Sequence, residues 1–204
     1  MPAGARPTHV FFDIGGVLGT NGWDSDQRAA AAARYDLGPE FDSRHREIAG
    51  DWELGRITFD EYLDVAVFYE PRSFTREEFR ACMLEQSRPF PECIELARRV
   101  GERRGVRLFT LNNESAELNQ HRIGAFGLAG IFDAFFSSCW MGVRKPTGEI
   151  YDAALAMAQA APGTSLFIDD RRQNLAPASA RGMQTLLYRD PEQLENALRE
   201  SGLL

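Results

Sequence analysis

Apolar positions along the chain cluster in five short runs, and the stretches between the runs repeat their apolar residues at helical spacing. The runs cover residues 9–13, 106–111, 134–137, 165–168 and 184–188. Runs of this length, bounded by Gly, Pro or Asp, are typical of buried β-strands. Strands that alternate with helices predict an α/β fold, in which helices cover both faces of a parallel sheet and the crossovers are right-handed.

The connection between the first two predicted strands is much longer than such a fold requires. A strand–helix–strand unit needs about 30 residues, and the chain from Asp13 to Val106 is roughly three times that length. We therefore expect an inserted helical cap at residues 20–88, above a core formed by residues 1–19 and 89–204. A cap in this position can exclude water from a site at the sheet edge.

Start signals for helices occur in both the cap and the core. Thr58 and Thr75 each stand three residues before a Glu, which is the signature of a capping box. Pro91 and Pro191 suit the first position of a helix, and Thr147 can cap another. The apolar stripe predicted for that last helix is Ile150, Ala154, Met157 and Ala161.

Composition and charge narrow the functional classes. The 204 residues are 44% hydrophobic and 26% charged, as in a globular chain. The net charge of −7 argues against a nucleic-acid partner, and no apolar run approaches the roughly 20 residues of a membrane helix. The three cysteines fit a reducing compartment, and residues 1–8 lack the apolar core of a signal peptide. We expect a cytoplasmic monomer or homodimer.

Polar residues follow four of the predicted strands. Asp13 ends the first strand, two amides at 112–113 end the second, the sequence Arg-Lys-Pro at 144–146 follows the third, and an acidic pair at 169–170 ends the fourth. The carboxyl ends of parallel strands form one crevice, where open α/β sheets bind their ligands. We therefore expect these side chains to meet.

The predicted cluster has the chemistry of a metal and phosphate site. Carboxylates at Asp13, Asp169 and Asp170 would repel one another unless a cation joined them, and Mg²⁺ accepts one or two carboxylates together with phosphate oxygens and water. Lys145 can neutralise a carboxylate or a phosphate. The amides of Asn112 and Asn113 can donate to phosphoryl oxygens, and glycines at 15 and 16 let a ligand approach the backbone.

Four motifs occur in a fixed order: FDIGGVL at 12–18, LNN at 111–113, RKP at 144–146 and FIDDRRQN at 167–174. Together with the helical insertion they resemble the haloacid dehalogenase-like hydrolase superfamily with its C1 cap. The resemblance spans nearly the whole chain. It is closest to the branch that holds sugar-phosphate phosphatases and the N-terminal phosphatase domain of soluble epoxide hydrolase. It implies a Rossmann-like sheet with strand order 3-2-1-4-5.

The resemblance also implies roles for the site residues. Asp13 would be the nucleophile that forms an aspartyl-phosphate. Mg²⁺ would be held by Asp13, by Asp170 and by the carbonyl of Gly15, and Asp169 would support a metal-bound water or Lys145. Lys145 would hold both Asp13 and the phosphate. Phosphate contacts are expected from Asn112, Asn113, Gly16 and Lys145.

Two positions depart from the family pattern. Motif two usually offers Ser or Thr, whereas a gapless reading places Asn112 there. Thr110 would need a shift of one residue and is the alternative. The larger departure is Gly15, because phosphatases of this family usually carry a second Asp two residues after the nucleophile. That Asp protonates the leaving oxygen and later activates water, and Gly15 has no side chain for either task.

The sequence thus predicts a Mg²⁺-dependent phosphatase that acts on a small phosphorylated metabolite. General acid–base help is typically worth about 10²–10⁴-fold. Its loss matters least for good leaving groups, such as acyl or anomeric sugar phosphates. A cap residue could also supply the acid, with His45, Asp51 and Glu53 as candidates.

Three alternatives remain open. A catalytically weak or inactive protein that binds a phospho-ligand fits Gly15 and Asn112. A 2-haloacid dehalogenase is less favoured, because that subgroup typically has an aromatic residue where Gly15 stands and lacks the acidic pair at 169–170. A phospho-accepting receiver domain is disfavoured, because its lysine follows its acidic pair and Lys145 precedes them.

Overall fold

The computed structural model describes residues 5–204, and the first four residues of the predicted core segment lie outside this part of the chain. Its centre is a five-stranded sheet whose strands run parallel. In chain order the strands are β1 (His9–Phe12), β2 (Arg107–Asn112), β3 (Ala134–Ser137), β4 (Ser165–Asp169) and β5 (Gln184–Leu187). They lie side by side in the order β3-β2-β1-β4-β5, which confirms the predicted Rossmann-like arrangement.

Strand β1 lies in the middle of the sheet and pairs with β2 on one side and β4 on the other. Phe12 stands opposite Thr110 of β2 and Ile168 of β4. The next amide along, that of Asp13, donates to the carbonyl of Ile168 over 2.9 Å. This register places Asp13 beside Asp169 at the carboxyl edge of the sheet.

Helices connect the strands. Four of them lie in the long connection after β1: α1 (Ser25–Tyr35), α2 (Phe41–Glu53), α3 (Phe59–Ala66) and α4 (Arg76–Glu85). Helix α5 (Pro91–Gly101) then leads into β2. The later helices are α6 (Ala116–Ala125), α7 (Ser138–Met141), α8 (Gly148–Ala158), α9 (Arg172–Ala180) and α10 (Pro191–Glu200).

Local signals explain where two of the inserted helices begin. The hydroxyl of Thr58 accepts from the amide of Glu61, and the Glu61 carboxylate accepts from the amide of Thr58. Thr75 and Glu78 make the same reciprocal pair at the start of α4. Both predicted capping boxes are therefore confirmed, and each cap is worth about 1 kcal/mol.

Hydrophobic clusters fill three places. On one face of the sheet, Phe12 and Ile168 pack with α5 and α10. On the other face, Phe11 and Phe167 pack with α8 and α9. The third cluster joins residues from α1 to α4, and it includes Leu118 of α6. The inserted helices thus have an aromatic core of their own and contact the sheet domain through α6, while the division at residues 20 and 88 stays a prediction.

The apolar stripe predicted for α8 is wrong in two positions. Met157 is 63% exposed, and Ala161 lies beyond the helix, which ends at Ala158. The buried face is formed instead by Ile150, Tyr151, Ala154, Leu155 and Ala158. These positions follow the i, i+4, i+8 spacing of one helix face, and Met157 points away from it.

The longest helix among residues 5–204 is α2, with 13 residues. A transmembrane helix needs roughly 20 apolar residues. Accordingly, no helix in the described part of the chain is long and apolar enough to cross a membrane.

Candidate active site

A buried lysine joins two carboxylates at the carboxyl edge of the sheet. Lys145 Nζ lies 2.9 Å from Asp13 Oδ2 and 2.7 Å from Asp169 Oδ2. All three side chains are almost completely buried. Asp13 Oδ1 also accepts from the amide of Ile14 over 2.8 Å. The side chain of Asp13 is therefore fixed through both oxygens, and the sheet register brings together three of the residues that the sequence singled out.

Asp169 is saturated by donors from the protein. Besides Lys145, it accepts from the amide of Arg171 over 2.8 Å and from the side-chain amide of Asn174 over 3.0 Å. Its relative exposure is 0%. With its oxygens occupied, Asp169 is placed to position Lys145 and the loop that follows β4.

Asp170 completes a carboxylate cluster suited to a cation. One oxygen from each of Asp13, Asp169 and Asp170 lies within 4.8 Å of the others. Asp170 Oδ1 is buried and has no hydrogen-bond partner among residues 5–204. An unpaired buried carboxylate oxygen is costly unless a cation or a donor satisfies it. The donor set is oxygen only, which suits a hard divalent cation.

Gly16 makes the position of Asp170 possible. Its φ is +76°, a conformation that residues with a side chain rarely adopt. A Cβ at this position would lie 2.3 Å from Asp170 Oδ2, which is closer than non-bonded atoms approach. The glycine therefore lets the loop after β1 pass directly over the Asp170 carboxylate.

Burial and charge act in opposite directions on these groups. Burial raises the pKa of Asp13, and Lys145 works against this rise. Burial alone would lower the pKa of Lys145, but Asp13 and Asp169 outweigh it and the pKa is raised. Burial and the neighbouring Asp169 raise the pKa of Asp170. Lys145 is thus held cationic, and its single positive charge does not balance the three carboxylates of Asp13, Asp169 and Asp170.

The two amides that follow β2 are used inside the protein. Asn113 donates to the carbonyl of Lys145 over 2.8 Å and accepts from the Lys145 amide over 2.9 Å, so it fixes the loop that carries the lysine. Asn112 donates to Asn119 over 3.0 Å and accepts from Ser137 over 2.8 Å. The hydroxyl of Thr110 is buried without a partner among residues 5–204. Phosphate contacts from Asn112, Asn113 or Thr110 stay predictions.

Beside Gly15 lies an ion pair that the sequence analysis missed. A Cβ on Gly15 would stand 3.1 Å from Asn21 Oδ1 and 3.4 Å from Arg122 Nη1. Arg122 Nη1 is paired with Glu114 Oε2 over 3.0 Å, and both side chains are buried. Burial raises the pKa of Glu114, which Arg122 opposes. In the sequence, Glu114 directly follows Asn112 and Asn113. This position, next to two predicted site residues, is the feature by which Glu114 could have been identified from the sequence.

A cavity of about 320 Å³ opens above these residues. Asp13, Gly15, Lys145 and Glu114 form its floor, and the inserted helices form its roof. Helix α2 contributes four of the lining residues, which share one helix face: His45, Ala49, Trp52 and Glu53. The inserted helices therefore cover the site, as a cap would.

The three candidate acids of the cap lie in different surroundings. Asp51 is outside the cavity lining and pairs with Arg56 over 2.9 Å. Glu53 lines the cavity and pairs with Arg144 over 2.8 Å. Burial lowers the pKa of His45 to about 4, so its ring is neutral at pH 7. Both carboxylates are therefore engaged in ion pairs, and the neutral ring of His45 carries no extra proton.

Comparison with known proteins gives one family. A family model described as haloacid dehalogenase-like hydrolase matches residues 7–182. Mouse bifunctional epoxide hydrolase 2 is 31% identical over 129 residues, which is 63% of this chain and 21% of the mouse protein. This chain thus spans about a fifth of that relative. A sesquiterpene phosphatase from Aspergillus oryzae is 27% identical over 187 residues, and the match covers 89% of both chains.

Solved structures share the fold. One of them is a HAD family enzyme from Bacteroides thetaiotaomicron in complex with magnesium and inorganic phosphate. It superposes with a TM-score of 0.76, at 20% sequence identity, over 90% of this chain and 94% of its own. At this level of identity the similarity supports the fold alone, and the chemistry has to be argued from the residues of this chain.

Proposed function

Since the chain belongs to the haloacid dehalogenase-like hydrolase family, we propose that it is a Mg²⁺-dependent phosphatase for a small phosphorylated metabolite. The observation that carries this proposal is the arrangement of Asp13. Its carboxylate is held by Lys145 and by a backbone amide at the floor of the cavity, beside an oxygen of Asp170 that has no hydrogen-bond partner among residues 5–204. A fixed nucleophile next to a cation site is what phosphoryl transfer requires.

Asp13 and Asp170 would hold the ion, and the backbone carbonyl of Gly15 would join them. Bound Mg²⁺ would neutralise charge on the phosphoryl oxygens. The carboxylates of Asp13 and Asp170 offer oxygen donors only. Asp169 would not bind the ion and would instead position Lys145 through their ion pair. This division of tasks follows from the hydrogen bonds, because the oxygens of Asp169 already accept from protein donors.

The chemistry begins when an oxygen of Asp13 attacks the phosphorus atom of the substrate. The bond between phosphorus and the ester oxygen breaks, and the phosphoryl group is transferred to Asp13 as a mixed anhydride. Lys145 neutralises negative charge that gathers between nucleophile and phosphate. Water then attacks phosphorus, which releases inorganic phosphate and restores the carboxylate.

Leaving-group chemistry limits the substrate class. Gly15 offers no proton to the departing oxygen, and the space beside it is filled by Asn21 and Arg122. General acid help is typically worth about 10²–10⁴-fold. The proposed substrates are therefore esters whose leaving group departs without a proton, such as acyl or anomeric phosphates. The proposed ligand is small, because the cavity measures about 320 Å³.

Phosphate release from a panel of acyl, anomeric and primary alcohol phosphates tests this function, with and without Mg²⁺. We expect turnover that requires Mg²⁺, favours the first two classes and falls to background in Asp13→Asn. Equal, background release by wild type and Asp13→Asn on every ester would contradict the proposal. It would favour the alternative of a protein that binds a phospho-ligand without turnover.

A further inference from the structure

Helix α2 turns two aromatic side chains toward the cavity above Asp13. His45 and Trp52 are seven residues apart, which places them on the same face of a helix, and Ala49 lies between them. Both aromatic side chains are buried, and both line the cavity. The small side chain of Ala49 leaves the space between the two rings open to a ligand.

A chain of hydrogen bonds sets the tautomer of His45. Trp23 Nε1 can only donate, and it donates to the hydroxyl of Tyr62 over 2.8 Å. His45 Nδ1 lies 2.9 Å from the same hydroxyl, and no other acceptor for the Tyr62 proton is present among residues 5–204, so we assign that proton to the bond with Nδ1. Because Nδ1 of a neutral imidazole accepts here, its proton must be on Nε2. The Trp23–Tyr62–His45 relay therefore makes His45 Nε2 a donor.

The surroundings keep that imidazole neutral. Burial lowers the pKa of His45 to about 4, and Arg28 and Arg46 add to the effect. Asp42 and Asp24 act in the opposite direction without reversing it. At neutral pH His45 is thus a fixed, uncharged N–H donor.

Trp52 supplies a second N–H donor. Its ring stacks on Tyr62 with centroids 4.0 Å apart and on Phe59 at 5.3 Å, so its orientation is fixed. Trp52 Nε1 is buried and has no acceptor among residues 5–204. A buried donor without an acceptor costs free energy, which a bound molecule with an oxygen acceptor would recover.

We propose that His45 Nε2–H and Trp52 Nε1–H form a subsite for an oxygen acceptor on the leaving group of the substrate. This inference rests on the proposed phosphatase function and adds to it the residues that select the leaving group. The two N–H groups are neutral. Each arginine that lines the cavity is paired with a carboxylate: Arg28 with Asp42, Arg122 with Glu114, Arg144 with Glu53 and Arg171 with Asp24. The subsite therefore recognises uncharged oxygen, such as a hydroxyl group, rather than a second anion.

Kinetics with a pair of esters test the subsite. 4-(Hydroxymethyl)phenyl phosphate offers a hydroxyl acceptor, and 4-ethylphenyl phosphate has nearly the same size without one. Both leave as phenoxides of similar basicity, which depart more readily than alkoxides, so the ratio of their kcat/KM values reports the subsite. Trp52→Phe removes one N–H and keeps the stacked ring, and His45→Leu removes the other. We expect each variant to lower the ratio about tenfold, the effect of one hydrogen bond.

Two further variants serve as controls. Trp140→Phe makes the same exchange at a tryptophan that is 48% exposed and outside the cavity lining, and it should leave the ratio unchanged. His45→Gln keeps an N–H at about the reach of Nε2 and should restore most of the ratio lost in His45→Leu. Continued phosphate release with an unchanged ratio in both Trp52→Phe and His45→Leu would overturn the subsite and leave the phosphatase intact.

A second measurement does not depend on hydrolysis of the substrate. The ¹⁵N NMR spectrum of labelled histidine should show His45 as the neutral Nε2–H tautomer at pH 7. The indole resonance assigned through Trp52→Phe should shift with 4-(hydroxymethyl)phenyl phosphate and much less with 4-ethylphenyl phosphate. A cationic or Nδ1–H ring, or equal indole shifts with both esters, would overturn the subsite. Failure of the phosphatase proposal is separate, since it appears as release no greater than that of Asp13→Asn.

Discussion

Arg122 Nη1 lies 3.4 Å from the point where a Cβ on Gly15 would stand. The guanidinium also pairs with Glu114, and it donates to the carbonyl of Asn21 over 2.8 Å and to Ser87 over 3.1 Å. The space next to the loop that follows Asp13 is therefore filled by a buried cation that ties this loop to α6.

Breaking this ion pair should cost much of the protein's stability. Glu114→Gln leaves the buried charge of Arg122 without its partner, and the loss of one partner from a buried pair typically costs about 3–5 kcal/mol. Urea unfolding at pH 7 measures the change. Glu95→Gln, at an exposed carboxylate that pairs with Arg98, should leave the unfolding midpoint in place. Equal small effects for both variants would show that the Glu114–Arg122 pair does not stabilise the fold.

Gly16→Ala should weaken metal binding. The added methyl group would lie 2.3 Å from Asp170 Oδ2, and the backbone φ of +76° disfavours a side chain. Mutation of a residue that positions a metal ligand typically costs about 10–100-fold in metal affinity. The Mg²⁺ concentration that gives half-maximal activity, or half-maximal thermal stabilisation, should rise by at least tenfold.

Gly105→Ala is the matched control for that experiment. Gly105 has a φ of +81°, and a Cβ there would meet no atom within 4 Å, so the variant adds the same backbone strain without a contact to the carboxylates. It should keep the Mg²⁺ dependence of the wild type. An unchanged Mg²⁺ dependence in Gly16→Ala as well would show that Asp170 is not a metal ligand.

His45 should make the protein sensitive to acid. Its pKa is lowered from 6.5 to about 4, so between these values the unfolded chain binds a proton that the folded chain does not. The contribution of His45 is complete above pH 6.5 and is lost as the pH falls toward 4. The loss amounts to about 3 kcal/mol over this window.

Urea unfolding at pH 7 and pH 4.5 checks this expectation. His45→Gln cannot take up the proton, so its stability should change less between the two pH values than that of the wild type. An identical change in both proteins would show that His45 does not stay neutral in the folded state.

Reaction rates should fall steeply as the leaving group becomes more basic. Gly15 supplies no proton, so negative charge develops fully on the departing oxygen. A series of aryl phosphates with leaving groups of increasing pKa measures this slope at fixed Mg²⁺. A flat series would mean that another residue protonates the leaving oxygen, and Glu114 would be the first to replace.

Much of the fold and of the site follows from local pattern. The strand order depends on five apolar runs and a family resemblance, and the capping boxes at Thr58 and Thr75 are encoded within four residues each. The meeting of Asp13, Lys145 and the acidic pair at 169–170 is predictable from the sequence, because the carboxyl ends of parallel strands share one edge of the sheet. Their meeting in the structure agrees with that expectation, and their catalytic roles are proposals.

The parts that pattern does not predict depend on tertiary packing. The position of the Glu114–Arg122 pair beside Gly15 is set by how α6 meets the loop after β1, which no local pattern specifies. Asn112 looked available to phosphate, yet its amide is drawn into bonds with Asn119 and Ser137. Likewise, the tautomer of His45 depends on Tyr62, which is 17 residues away along the chain.

The central claim is that Asp13 carries the phosphoryl group during turnover. Acid quenching of the protein during steady-state hydrolysis of an acyl phosphate, followed by mass spectrometry of its peptides, tests it directly. We expect a gain of one phosphoryl group on the peptide that contains Asp13, dependent on Mg²⁺ and absent in Asp13→Asn. Turnover with no adduct under conditions that preserve acyl phosphates, or the same adduct in Asp13→Asn, would contradict the claim.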